Sequence, residues 1–269
     1  MHIDSLFNSV AEQISPTKNT AKLIIPSSWG QGRTVYGGLS ASLAYVAAKQ
    51  VISPNKLLRS LHTSFIGPIN VDKELTIEVE VLREGKNVTQ VTTKVIQGNN
   101  TALISQASFG LARVSKIKIP DLHTHEMTEP EKPSFLPHIP KVTPKFLRHY
   151  QLAKVKGGLP FTGRKESDIH GWMRFEKPPA HFTDAHLVSL IDAWPPTILQ
   201  MFKLPKMAST LSWNLEFIHP HLSIGENEWF AYQATTRQAS DGYVHTEANI
   251  WDARNELLAI SRQVVTVFG

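Results

Sequence analysis

Apolar and polar positions alternate in two successive sets of runs along this chain. The first set lies at about 57–66, 74–83, 88–98 and 102–112, and the second at about 208–219, 227–237, 242–251 and 256–267. A period of two predicts strands half-buried against a core. Within the first set the breaks are Gly67-Pro68, Glu84-Gly85-Lys86-Asn87 and Gly98-Asn99-Asn100, compositions that turn one antiparallel strand into the next. Each set is preceded by a different pattern. Residues 20–26 read as a strand, Ser27 to Thr34 as a turn-rich loop, and Leu39 to Ile52 as a helix with no charge between Arg33 and Lys49. A helix apolar nearly all round is a buried one, and its small residues allow close approach to a sheet. Ser53-Pro54-Asn55 stops it. In the second half, strands are expected near 146–155 and 168–176. Phe182-Thr183-Asp184 offers an N-cap, and an apolar helix follows from Ala185 to Trp194, ended by Pro195-Pro196.

The two sets are copies. Phe65-Ile66-Gly67-Pro68 answers to Phe217-Ile218-His219-Pro220, and each half closes with an Ile-Ser pair, Ile104-Ser105 or Ile260-Ser261, inside its last apolar strand. A repeat of about half the chain means two fused copies of one small fold, so the chemistry is expected where the copies differ. Residues 115–144 separate them, holding six of the 17 prolines and no apolar period. That composition predicts an extended, partly rigid linker. The expected division is 1–115, a linker at 116–141, and 142–269, with the two sheets running on as one surface around both helices.

Composition narrows the chemistry. The chain has 269 residues and no cysteine, which removes disulfides, thiolate nucleophiles and zinc–sulfur sites, and fits a reducing, cytoplasmic compartment. No run approaches the ~20 apolar residues of a membrane span, and Met1 to Phe7 lacks the basic start and apolar stretch of a secretory signal. The net charge is +5, with positive residues gathered in the middle at Arg113, Lys116, Lys118, Lys141, Lys145, Arg148, Lys154, Lys156, Arg164 and Lys165. Such a field attracts an acidic ligand, or is merely a solvated surface. No basic-aromatic interleaving or zinc-finger spacing points to nucleic acid. His123-Thr124-His125 has no third ligand nearby, and no metal or other cofactor is expected.

One carboxylate stands out. Asp192 interrupts Leu187-Val188-Ser189-Leu190-Ile191-Asp192-Ala193-Trp194, an otherwise uncharged stretch. A buried carboxylate without partners has its pKa raised, which suits a general base; the alternative is a carboxylate satisfied by backbone amides or facing solvent. Gly37-Gly38 opens the first helix, where amides can stabilise an oxyanion or where glycine lets a loop pack closely; amides of the second helix compete for the first role. Gly38-Leu39-Ser40-Ala41-Ser42 fails as a nucleophile elbow because Ser42 takes the final glycine position. Gly30 and Gly32 lack the third glycine of a dinucleotide loop, since Val35 stands there.

A strand, a buried helix and an antiparallel sheet long enough to wrap it, twice over, is an α+β double hotdog. With Tyr36-Gly37-Gly38, Arg59-Ser60-Leu61-His62-Thr63-Ser64-Phe65, Leu190-Ile191-Asp192-Ala193, Ser209-Thr210-Leu211 and Ser261-Arg262-Gln263 in order on that repeat, the chain resembles the type II acyl-CoA thioesterases. The resemblance implies hydrolysis of fatty acyl-CoA, in lipid metabolism, by a water held and activated by three groups. Carried over by position these are Asp192, Thr210 and Gln263, with Ser209 and Ser212 as neighbouring hydroxyls that a register slip would substitute. Gly37, Gly38 and His62 are the expected substrate-binding residues. Superposing the copies sets Ser40, Leu58 and Ala107 against Asp192, Thr210 and Gln263, so one active site per chain is expected. The partner implied is acyl-CoA, and a homo-oligomer is left open. Two rivals remain: a non-catalytic acyl-binding module, and a hotdog enoyl-CoA hydratase, which would need a His shortly after Asp192 where Ala193-Trp194-Pro195-Pro196-Thr197 stands.

Overall fold

Secondary structure follows the alternation closely. The computed structural model describes residues 1–120, 124–135, 139, 143–221, 224–225 and 227–268. His123, Pro137, Pro140 and Lys141, which figure in the sequence reading, lie outside them. By contacts the chain divides into two compact units: Met1–Ile119 with Pro144–Phe146 and Pro179–Ser189, and Pro120–Thr143 with Leu147–Pro178 and Leu190–Gly269.

The first unit opens on a helix, α1 (Ile3–Ala11), absent from the reading above. Its buried residues, Ile3, Leu6, Phe7 and Val10, have the spacing of one helical face, so the signal was in the sequence. Strand β1 (Thr20–Ile24) follows, then a short hairpin of β2 (Gly30–Gln31) and β3 (Thr34–Val35). The central helix α2 runs from Gly37 to Gln50 and is buried almost throughout. Strands β4 (Leu57–Phe65), β5 (Glu74–Glu84), β6 (Val88–Gln97) and β7 (Asn100–Gly110) match the expected runs to within two residues. They pair antiparallel with β1 in the order β1-β5-β6-β7-β4, and α2 packs on β4 to β7. The Thr93 hydroxyl reaches out of β6 to the Ala44 carbonyl at 3.2 Å.

The second unit holds β8 (Tyr150–Lys156), β9 (Ile169–Phe175), β10 (Ala208–Phe217), β11 (Phe230–Ser240), β12 (Tyr243–Trp251) and β13 (Leu257–Val267). Their order is β10-β13-β12-β11-β9-β8. The sub-order β4-β7-β6-β5-β1 is thus repeated as β10-β13-β12-β11-β9, with β8 added at the edge. Residues 146–149, expected as the start of β8, lie instead in a turn of 3₁₀ helix, Lys145–His149.

Helix α3 (Asp184–Ile191) is fully buried from Ala185 onward and falls across the division between the units. It starts where the Thr183 amide and hydroxyl meet Nδ1 of His186, at 3.1 and 2.9 Å. It ends three residues earlier than expected. Pro195 and Pro196 cannot donate backbone hydrogen bonds and push the preceding residues out of helical geometry, so the chain leaves the helix through a turn in which the Ala193 amide bonds the Leu190 carbonyl.

The proline-rich segment packs on the second unit. His125 stands edge-on to Trp172 and Trp251, with ring centroids 5.1 and 5.3 Å away. Met127 packs on the same tryptophan cluster. The amides of Ser134 and Phe135 bond the Leu152 carbonyl on edge strand β8, and the Phe135 ring then lies 5.2 Å from Trp194. A strand edge that would otherwise be exposed is covered.

Candidate active site

Cross-strand register defines the faces of the strands in the second unit. Residues directly opposed in an antiparallel pair share a face. Trp213 pairs with Gln263, Leu215 with Ser261 and Phe217 with Ala259, and Trp213, Leu215 and Phe217 are all buried. Gln263 therefore points from the core face of β13. Asp192 sits in the turn that ends α3, half-buried, and Nε2 of Gln263 donates to its Oδ1 at 2.9 Å. A carboxylate only accepts, so the amide nitrogen must be the atom that faces it.

Thr210 reaches that face through an irregularity. Between Thr210 and Ser212 the β10–β13 register shifts, so that Thr210 opposes the buried Val265 while Ser212 opposes Val264 and Ser209 opposes Thr266. Leu211 is the extra residue. A bulge flips the alternation, and here it turns Thr210 to the face of Gln263 and Val265, with Ser209 and Ser212 on the other. Of the three neighbouring hydroxyls, Thr210 is the one that shares Gln263's face by register.

Further polar groups share this face. Thr246 lies directly opposite Gln263 on β12, and Thr236 opposite Thr246 on β11. Thr197, buried just after Pro195-Pro196, bonds Thr236 at 2.8 Å and reaches Thr246 at 3.5 Å through its hydroxyl. A band of hydroxyls thus crosses the core face beside the Asp192–Gln263 pair. Scattered threonines in amphipathic strands give no local signal; only the register gathers them.

An aromatic wall borders Asp192. Trp194 stacks on Tyr232 with centroids 5.7 Å apart and planes 10° apart. Glycine at 171, opposite Tyr232 on β9, makes room for it, since a Cβ there would meet Trp194's ring edge at 2.6 Å. Burial, and then the negative charge of Asp192, hold the Tyr232 phenol well above its ordinary range, so it stays protonated. The Trp194 indole N–H is buried and finds no partner among the described residues.

In the first unit the matching positions are apolar or structural. Leu58 and Ala107 are buried, and the Ser40 hydroxyl donates back to the Tyr36 carbonyl at 3.0 Å. Gly37 begins α2, half-buried. Gly38 is fully enclosed: a Cβ would lie 2.5 Å from the Tyr36 hydroxyl and 2.8 Å from the Ser189 carbonyl, and that hydroxyl donates to that carbonyl at 2.7 Å. His62 is exposed on β4 between buried Leu61 and Thr63, on the face away from α2. Of the predicted residues, the structure brings together Asp192, Gln263 and, by face, Thr210. His125 serves as an aromatic contact: its Nδ1 accepts from the Met127 amide at 3.3 Å.

This architecture has known counterparts. Residues 25–110 match the family model of the acyl-CoA thioesterase N-terminal domain and residues 122–267 that of the acyl-CoA thioesterase C-terminal domain. The chain belongs to the acyl-CoA thioesterase family and is by class a thioester hydrolase. It is 24% identical over 262 residues to acyl-CoA thioesterase 2 of Haemophilus influenzae, covering 86% of each chain. Among solved structures it is similar to a hot dog fold protein of unknown function from Alicyclobacillus acidocaldarius, at 19% identity, 98% coverage of both chains and a TM-score of 0.81. An acyl-CoA thioesterase II from Mycobacterium marinum superposes with a TM-score of 0.73 at 18% identity, covering 97% of this chain and 98% of that one. These likenesses establish the hotdog fold.

Proposed function

We propose that this protein hydrolyses fatty acyl-CoA to the free acid and CoA, in the cytoplasm, using a water activated in the second unit. The observation that carries the proposal is the bond between Gln263 and Asp192 on a core face otherwise built of apolar and hydroxyl groups. Asp192 accepts the proton of the water as its oxygen attacks the thioester carbon. Gln263 orients the carboxylate, and Thr210 supplies a hydroxyl from the same face. The tetrahedral intermediate then collapses with loss of the CoA thiolate, which takes up the proton that Asp192 had accepted. Neither a cysteine nor an elbow serine is available to form an acyl-enzyme.

The proposed organisation is a hotdog at 1–115, a linker at 116–141 and a hotdog at 142–269, each sheet wrapped around its own helix, with a single site because Ser40, Leu58 and Ala107 replace the active groups in the first copy. Gly37 and His62 are proposed as substrate contacts of the first unit, and Gly38 contributes by letting the start of α2 pack. Single-turnover hydrolysis of an acyl-CoA in oxygen-18 water tests the mechanism. The label is expected in the fatty acid with no acylated protein; a trapped acyl-serine or acyl-aspartate contradicts it.

A further inference from the structure

Large apolar side chains stand in solvent at one place on the second unit. Leu204 is 72% exposed, Met207 75%, Phe268 53%, Leu159 42% and Met201 39%. They belong to three segments stitched together by backbone bonds. The Phe161 amide bonds the Leu199 carbonyl, Arg164 bonds Gln200, Gly163 bonds Phe202, and Phe268 bonds Met207. Buried Gln200 clamps the junction, its amide nitrogen donating to the Asp168 and Thr197 carbonyls at 3.0 and 3.1 Å and its oxygen accepting from the Gly158 amide. Leu199, Phe202 and Ala208 are tucked against Ile198, Val244 and Val265 beneath. Backbone bonds, the Gln200 clamp and the apolar packing beneath brace the loops that present these side chains to solvent. Exposed apolar groups gathered on segments joined in this way mark an interaction site.

The charges say what kind. Residues 157–166 and 197–211 carry Arg164, Lys165, Lys203 and Lys206 against a single acid, Glu166, a local net charge of +3 (four minus one). The Lys203 stem lies over Gly163, and Arg164, Lys165 and Lys203 are exposed beside the apolar groups. A second copy of this chain would set +3 against +3 and be repelled. Apolar side chains flanked by cations are the combination that inserts into an anionic bilayer surface, the apolar groups entering the interface and the cations meeting the headgroups. We infer that the platform of residues 157–165, 199–207 and Phe268 docks this protein on an anionic lipid surface.

Flotation with vesicles of phosphatidylcholine alone, and of phosphatidylcholine mixed with phosphatidylglycerol, tests this independently of any hydrolysis. The full chain is expected to float with the mixed vesicles, to be released by salt, and to bind phosphatidylcholine weakly. Leu204→Ser with Met207→Ser, and separately Arg164→Glu with Lys203→Glu, should each lower binding by about tenfold or more. Arg164 and Lys203 are exposed, so Arg164→Glu with Lys203→Glu is expected to fold, which circular dichroism melts check for both double variants. No binding by the parent chain, or equal binding by a folded variant, overturns the inference. So does concentration-dependent self-association that disappears with Leu204→Ser and Met207→Ser, which would make a second copy the occupant.

Discussion

Gln263 donates to Asp192 across 71 residues of sequence, joining the last strand of the chain to the turn that ends α3. Because a carboxylate can only accept, replacing the amide by a second acid would set two acceptors face to face. Gln263→Glu should therefore lower kcat more than it raises KM, with the loss easing as pH falls and one carboxyl of the pair takes up a proton. A pH–rate profile beside that of the parent enzyme checks this.

The bulge at Leu211 makes a discriminating prediction about hydroxyls. Thr210→Val removes the hydroxyl on Gln263's face at constant shape. It should cost about 1–3 kcal/mol of transition-state stabilisation, roughly 5–150-fold in kcat/KM. Ser209→Ala and Ser212→Ala, on the opposite face, should leave kcat/KM close to the parent value. Steady-state kinetics on all three variants separates them.

Gly38 is expected to act through stability. A methyl group there would crowd the Tyr36 hydroxyl and the Ser189 carbonyl, disrupting the 2.7 Å bond between them. Gly38→Ala should lower the melting temperature, with a cost on the order of 1–3 kcal/mol for overpacking. Calorimetry of the variant measures it.

Acid should loosen the attachment of α1. His186 Nε2 meets Asp4 Oδ1 at 2.8 Å, while the Ala180 amide donates to Asp4 Oδ2 at 3.0 Å. Burial, partly opposed by Asp4, holds His186 below its ordinary value of 6.5. Asp4 is also lowered: burial pushes it up, but the Ala180 amide and His186 outweigh that. Both groups bind protons more readily unfolded than folded. The stability His186 contributes is complete above about pH 6.5 and falls as pH drops through that value. The share of Asp4 is present above the ordinary carboxylate range and disappears below it. Asp4→Ala removes the group that opposes burial at His186, so the loss of stability as pH falls below about 6.5 should steepen, while the loss below the ordinary carboxylate range should disappear; denaturant melts between about pH 2 and 8 would trace both.

Much of this was legible in the sequence because periodicity and repetition are local or self-referential. Strands β4 to β7 and β10 to β13 fall where alternation put them, and Asp192 stood out as a lone charge in an apolar stretch. Helix α1 has the stripe of Ile3, Leu6, Phe7 and Val10, but so short an amphipathic stretch stands outside the repeat that marks the other elements. Helix α3 stops three residues short of Trp194 because Pro195 and Pro196 disfavour helical geometry in the residues before them. The hydroxyl band of Thr197, Thr236 and Thr246 was out of reach, since it exists only through strand register. The same holds for the bulge that turns Thr210 to Gln263's face: an alternating sequence contains no mark of the residue at which the alternation breaks.

The central claim is that Asp192 is the base, and Asp192→Asn tests it most directly. The substitution is nearly isosteric, so the fold and KM should be retained, while loss of general-base assistance lowers kcat by ~10²–10⁴. Ser40→Ala, at the equivalent position of the first copy, should leave kcat unchanged. Folded Asp192→Asn protein that turns over acyl-CoA at nearly the parent rate would contradict the account and send the search to another carboxylate.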